Sequence, residues 1–441
     1  MILSIINRLG AASKQIISYQ IVFTLVIWVG ALCIIEPVLA HGEQNQEPFL
    51  RMRTIQWYDL KWSLPDGSPA EQININDEVI ITGKFRAISD WPQNVPPLTM
   101  AYLSTAGPGS VFTKQESYIN GIPMIQSTDS LEFNTEYTFK LVMKARWPGK
   151  YHLHPTLMVQ GGGPIVGPGK YITNVGDSND FVLPVTTLTG QKIPDLDTWG
   201  LSTVVTWHAL WFVIAIIWLL WWLRRPFLMP RYMALKKGRE DLLITKSDNM
   251  AAVILLVVTM SLVIGGYQWA EAKFPQTAPL QGAVMKIPPV KQAESQVDVY
   301  VEKAFYDVPG RTMKGTLRVT NNTLSPVQLG ELSTANIRFV NENVQAAKDN
   351  VDPGYPEELV NFGLTVSDST PILPGKTRNV DFVASDLAWE TERLAGLIHD
   401  PVNRMGALLH FYDNLGERHI TEVNSSILPV FVEGGLATSA K

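Results

Sequence analysis

"VVTWHALWFVIAIIWLLWWL" (residues 204–223) carries no charged side chain over twenty positions. At about 1.5 Å per residue a helix of that length crosses the ~30 Å hydrocarbon core of a bilayer. A second run, "MAAVILLVVTMSLVIGGYQW" (250–269), is equally uncharged. Trp218, Trp221 and Trp222 crowd the end of the first run and Trp269 closes the second, as interfacial aromatics do. Two spans so close in sequence form a hairpin, and everything before and after them must lie on one side of the membrane.

The linker between the spans says which side. Residues 224–249 hold Arg224, Arg225, Arg231, Lys236, Lys237, Arg239 and Lys246 against Glu240, Asp241 and Asp248. Short basic loops stay in the cytoplasm, so the flanking segments 41–200 and 272–441 face outward.

Both flanks read as β. In "EYTFKLVM" (136–143), Tyr137, Phe139 and Leu141 alternate with Thr138 and Lys140. In "QVDVYVEK" (296–303), Val297, Val299 and Val301 alternate with Asp298, Tyr300 and Glu302. Period-two patterns between turns such as "WPGK" (147–150) and "NNT" (321–323) predict antiparallel sandwiches, one per flank. The expected organisation is a leader over 1–40, β-sandwiches over 41–200 and 272–441, and a transmembrane hairpin over 201–271.

The leader has its own logic. Arg8 and Lys14 precede a 15-residue apolar run, "IVFTLVIWVGALCII" (21–35), followed by "EPVLA" with Pro37, Val38 and Ala40. This is the pattern of a secretory signal cut after Ala40; an uncleaved anchor is the competing reading, and the run is shorter than the ~20 residues a span needs. The only cysteine, Cys33, lies in the leader. A processed chain has no thiol, which excludes disulfides, Cys-ligated zinc, iron–sulfur clusters and blue-copper centres. Charged residues are only 17% of the chain and the net charge is −5, so no broad basic face for nucleic acid follows.

Cleavage would leave His41 at the amino terminus. An α-amine, whose ordinary pKa is near 7.7–8.0, yields its proton to a metal at neutral pH, and with the ring it forms a chelate. His152 and His154, in "YHLHPTLMVQ" (151–160), stand two apart in a strand-like run and so share a face. That pair alone also reads as two surface histidines; with His41 it makes an all-nitrogen donor set. Imidazole and amine suit Cu(II), with zinc as the competitor, and an oxidising outer compartment favours copper. His208 lies within the first span, near its start, where a buried functional role and an interfacial position compete. His399, His410 and His419 read as structural, the last two flanking a hairpin in "FYDNLGERHI" (411–420). The chain holds no GxSxG, GxxxxGK[ST] or HExxH motif, and "QGGGPIVGPGK" (160–170) reads as a rigid surface loop, since its two prolines open no helix.

The stretches "HGEQNQEPFLRMRTIQWYDLKW" (41–62) and "YHLHPTLMVQGGGPIVGPGK" (151–170), with the two-span hairpin, resemble the B subunit of the copper membrane monooxygenases, the family of particulate methane monooxygenase and ammonia monooxygenase. The resemblance covers essentially the whole mature chain. It implies two cupredoxin-like domains outside a bacterial inner or intracytoplasmic membrane, on its periplasmic or lumenal side. It implies copper at His41, His152 and His154, and a trimer of three-subunit protomers with A and C subunits. It also implies oxidation of methane or ammonia with O₂, electrons coming from a quinol, at a centre that lies here or in another subunit. Two histidines of a second copper site in some members correspond to Gln56 and Arg86 here, so that second site is expected to be absent. The alternative function is a non-enzymatic copper-binding or carrier protein anchored on the outer face.

Overall fold

A computed structural model of the chain describes residues 46–124, 127–187, 190–223, 229–275, 285–290, 296–387, 389, 394–399 and 402–431. The expected leader, its expected cleavage site and His41 lie outside the described residues, as do Arg224 and Arg225 of the linker. The chain divides into two units, 1–175 with 286–441, and 176–285.

The first unit holds both β-sandwiches. A short helix, α1 (Pro48–Arg53), leads into β1 (Ile55–Ser63). There follow β2 (Gln72–Asn74), β3 (Glu78–Ala87), β4 (Ala101–Ala106), β5 (Phe112–Ile119), β6 (Ile122–Pro123), β7 (Glu136–Ala145), β8 (Gly149–Val159), β9 (Gly163–Val166) and β10 (Lys170–Val175). One sheet runs β1-β3-β7-β5-β6 and the facing sheet β2-β10-β8-β4, with β9 added to β8. The alternation in β7 is obeyed: Tyr137, Phe139 and Leu141 are buried while Thr138 and Lys140 are half-exposed. Phe139 meets Trp57 edge-on at 5.2 Å, and Tyr137 stacks on Phe85 at 5.3 Å. Gly83 makes room for that cluster, because a Cβ there would stand 2.9 Å from the Phe139 ring. The "WPGK" turn carries the chain from β7 in one sheet to β8 in the other, with Gly149 at φ 138°.

The second unit pairs β11 (Val185–Thr186) with β12 (Lys192–Ile193) and then forms α2 (Leu201–Leu223), α3 (Met229–Lys236) and α4 (Lys246–Lys273). Helices α2 and α4 are long and apolar enough to cross a membrane, with mean hydropathy 2.0 and 2.3. Both outrun the 20-residue apolar stretches, because polar ends extend them. Thr245 starts α4, and the Asp248 carboxylate accepts from the Thr245 N–H and hydroxyl, each at 2.8 Å. The other Asp248 oxygen accepts from Trp221 Nε1 at 3.0 Å, tying α4 to α2. Further along the pair, Trp207 lies where a Cβ on Gly266 would come within 2.8 Å of its ring.

The second sandwich, also in the first unit, comprises β13 (Val297–Asp307), β14 (Thr312–Asn321), β15 (Val327–Thr334), β16 (Ile337–Val340), β17 (Val360–Asn361), β18 (Leu364–Val366), β19 (Thr377–Ser385), β20 (Arg404–Asp413), β21 (Arg418–Ser426) and β22 (Leu428–Val430). Its sheets run β18-β19-β14-β13-β22 and β17-β16-β15-β20-β21. In β13, Val297 and Val301 point inward as expected, but a bulge after Val301 shifts the phase so that Ala304 and Tyr306 are the next buried side chains. The expected mainly β architecture, two sandwiches with a two-helix segment between them in sequence, is the one the chain adopts.

The two sandwiches meet through polar groups as well as a shared apolar core. A bulge in β1 turns Asp59 to φ 54°, and its carboxylate takes both Nη groups of Arg418. Asp90 pairs with Arg53 and Arg404, and Lys61 with Asp352.

Candidate metal centre

Strand β8 carries His152 and His154 on the face opposite Leu153, Leu157 and Val159, which enter the core. The two rings stand 4.2 Å apart between centroids, inclined at 71°. His154 is 1% exposed, whereas His152 is only half-buried. On the neighbouring strand β10, Tyr171 sits directly opposite His152 and stacks on it at 4.3 Å. Lys150 covers the other end of that stack, 5.0 Å from the Tyr171 ring.

The tautomer of His154 is set by its surroundings. Its Nδ1 lies 2.9 Å from the Gly167 carbonyl. A carbonyl can only accept, so Nδ1 carries the proton and Nε2 keeps the lone pair of the neutral ring. A carbonyl holding one ring nitrogen while the other faces a metal is the common arrangement of ligating histidines.

The segment 160–170 is exposed over 160–162 and at 164, as a surface loop would be, but departs from that expectation beyond them. Residues 163–166 form β9, paired antiparallel with β8, and Gly167, Pro168 and Gly169 are buried. The glycines serve close approach. A Cβ on Gly169 would come within 2.3 Å of the His154 ring, and one on Gly167 within 2.9 Å of Trp57. The segment is therefore a backbone cradle for His154, and "GPG" at 167–169 is the one trace of it in the sequence.

Gln56 and Arg86 face each other across β1 and β3 and are both buried. Gln56 Nε2 donates to the carbonyls of Arg51 and Met52, each at 2.9 Å, which closes the end of α1. Arg86 donates to Asn134 Oδ1 at 3.2 Å. The pair presents an amide donor and a cation. His208 is exposed on α2, its Nδ1 2.8 Å from the Val204 carbonyl one turn earlier. His410 is fully buried at the junction of the sandwiches.

The donor set at β8 fits a transition metal: two imidazoles on one face, one buried and held in a single tautomer by a backbone carbonyl. Fold and site together define the class, a protein of two β-sandwiches with a nitrogen-donor pair and two helices of membrane-crossing length. The chain belongs to the family of monooxygenase B-subunit proteins, whose family profile matches residues 42–431. Over 395 residues it is 43% identical to the "Particulate methane monooxygenase alpha subunit" of Methylococcus capsulatus (strain Bath), covering 89% of this chain and 92% of that protein. Among solved structures, the cupredoxin domain of amoB from Nitrosocaldus yellowstonii aligns at 18% identity and TM-score 0.22, over 29% of this chain and 91% of that one. Fibronectin(III)-like modules of Clostridium thermocellum CbhA align at 7% identity and TM-score 0.12, over 83% and 94% of the two chains.

Proposed function

We propose that this chain is the copper-binding B subunit of a membrane monooxygenase complex that oxidises methane or ammonia with O₂. The observation that carries the reading is the His152–His154 pair, with His154 locked by Gly167 and packed against Gly169. The residues that would hold copper are His41, through its amine and ring, and His152 and His154. Copper, when bound, supplies one-electron redox chemistry that nitrogen donors tolerate in both oxidation states.

The chain's own residues have separate tasks. Gly167 holds the Nδ1 proton of His154, Tyr171 fixes the plane of the His152 ring, and the buried side of β8 keeps bulk water from the rear of the pair. Gln46, five residues after His41, supports the reach of the amino terminus. Its amide bonds the Pro164 carbonyl and accepts from Val166 N–H at 3.2 Å, both on the strand beside β8. Five residues extend up to about 17 Å, and Thr156, opposite Val166, is two positions from His154. Gln56 and Arg86 take no part, because an amide donor and a permanent cation oppose metal binding.

Cleavage after Ala40, a cytoplasmic loop 224–249, both sandwiches on the periplasmic or lumenal side, and A and C subunits in a trimer of three-subunit protomers belong to the same reading. The name of the 43%-identical relative favours methane over ammonia. The test is the purified complex, assayed for methane and ammonia oxidation side by side and for copper in this subunit. His154→Ala should lose most of the subunit's copper, and Gln56→Ala should lose none. Unchanged copper in the His154→Ala complex would refute the site, and a mature terminus other than His41 on amino-terminal sequencing would remove the chelate.

A further inference from the structure

The hairpin joining β20 to β21 brings a second donor set together, far from β8 in sequence and made of different chemistry. Asp413 ends β20, Glu417 lies just before β21 and His419 is its second residue. Glu417 belongs to the turn and His419 to the strand that follows it. His419 is opposite Phe411, and Asp413 is two residues beyond Phe411, so these two share a side of the sheet. One ligand atom from each lies within 4.8 Å of the others.

The cluster offers a cation two carboxylates and one imidazole, with Asp413 as its buried anchor. Asp413 is only 8% exposed. Its Oδ1 accepts from the N–H groups of Leu415 and Glu417, each at 2.8 Å. Among the described residues no group donates to its Oδ2, and no lysine or arginine pairs with Asp413 or Glu417. The neighbouring cation, Arg418, points to the other face, where Asp59 takes its guanidinium. Asp413 is thus a mostly buried donor held in place by two backbone bonds, with its second oxygen open to a ligand.

The geometry points to a divalent-cation site of the zinc class at Asp413, Glu417 and His419. Two carboxylates and one imidazole are ligands that zinc accepts, and three protein donors leave a fourth position to water. Tetrahedral bonds of about 2.0–2.2 Å put donors about 3.4 Å apart. The present spacing closes to that by small rotations of Glu417 and His419, while Asp413 is fixed by the two N–H groups. Glu417 and His419 also line an open cleft of about 860 Å³, which gives the ion a path in. The ion would pin the hairpin turn at the edge of the second sandwich. His419 is thereby a ligand rather than the structural residue that its sequence context suggests. The site does not depend on copper at β8.

The test uses the full-length chain in detergent, stripped by chelator, with His152→Ala and His154→Ala removing the β8 imidazoles. Zinc is titrated by equilibrium dialysis with metal analysis. Glu417→Gln and His419→Asn are the test variants, and Leu415→Ser, at an exposed turn position, is the control. We expect one zinc per chain to be lost, or bound at least tenfold more weakly, in both test variants and retained in the control. Zinc should also raise the melting temperature of the parent and leave that of Glu417→Gln unchanged. Glu417 is exposed, so its metal-free melting temperature should equal the parent's and report an intact fold. Zinc affinity within twofold of the parent in either test variant overturns the site. Loss of copper in His154→Ala with zinc retained here would separate this site from the β8 pair.

Discussion

At the scale of single residues, the glycine beside His154 decides more than any polar group around it. A methyl group on Gly169 would have to occupy space within 2.3 Å of the His154 ring. The ring would tilt, and the Nδ1 bond to Gly167 that fixes its tautomer would break. Gly169→Ala should therefore lower copper affinity at least tenfold in the purified complex, at a stability cost of about 1–3 kcal/mol typical of overpacking. Copper content against melting temperature checks this: a variant that melts lower but keeps its copper would show that the cradle serves packing alone. The HxH spacing was legible in the sequence because strand geometry makes it so. The cradle was not, since a run of glycine and proline also describes an exposed loop, and only pairing of 163–166 with β8 buries residues 167–169.

At the scale of elements, the two apolar helices are joined by a polar latch. Asp248 receives the start of α4 through Thr245 and the end of α2 through Trp221, and it is 1% exposed. Replacing a buried, charged acceptor costs about 1–3 kcal/mol. Asp248→Ala should lower the melting temperature of the detergent-solubilised chain by several degrees and shift Trp221 fluorescence. Asp241→Ala, an exposed acidic residue of the same linker, should do neither; equal effects from both would mean that the latch contributes nothing beyond linker charge. Sequence alone marks the apolar runs, since hydropathy is additive along the chain. It does not mark the latch, because one aspartate among linker charges acquires its partner only when the helices lie side by side.

At the scale of the whole β unit, the sandwiches share a buried ionic junction with a pH dependence. His410, 0% exposed, lies 3.9 Å from Glu331, which takes a bidentate bond from Arg338 at 2.7 and 2.8 Å. Burial pushes the His410 pKa down to about 4; Glu331 opposes this, and the Arg418 and Arg338 charges add to it. Burial works against the Glu331 charge too, but neighbouring positive charge and the guanidinium bonds hold its carboxyl well below the usual range. At neutral pH His410 is uncharged, so Arg338 carries that effect. The unfolded chain takes up a proton on His410 near pH 6.5 and the folded chain resists until about 4. Stability should thus fall as pH drops from 6.5 to 4, by roughly 3 kcal/mol for this one group. Thermal unfolding of the full-length chain at pH 7.5 and 4.5 measures it. His410→Gln should remove most of the slope in that window, and an unchanged slope would place its origin elsewhere.

What the sequence determined by itself is whatever depends on near neighbours. Two uncharged twenty-residue runs set the helices, period-two alternation set the strands of β7 and β13, and the two-residue step placed His152 and His154 on one face. What only the tertiary structure decided is whatever joins residues distant along the chain. The β15–β16 turn, with Ala335 and Asn336 at positive φ, sends Asn336 to the Val166 carbonyl 170 residues away and so braces the strand that leads into the His154 cradle. Asp59 meets Arg418 across 359 residues because a bulge in β1 turns it outward. Asp413 and His419 become neighbours of Glu417 through hairpin register. Local periodicity carries no information about which sheet packs on which, because the same alternation suits many partners. The contacts that shape the sites arise only once the two sandwiches have closed on each other.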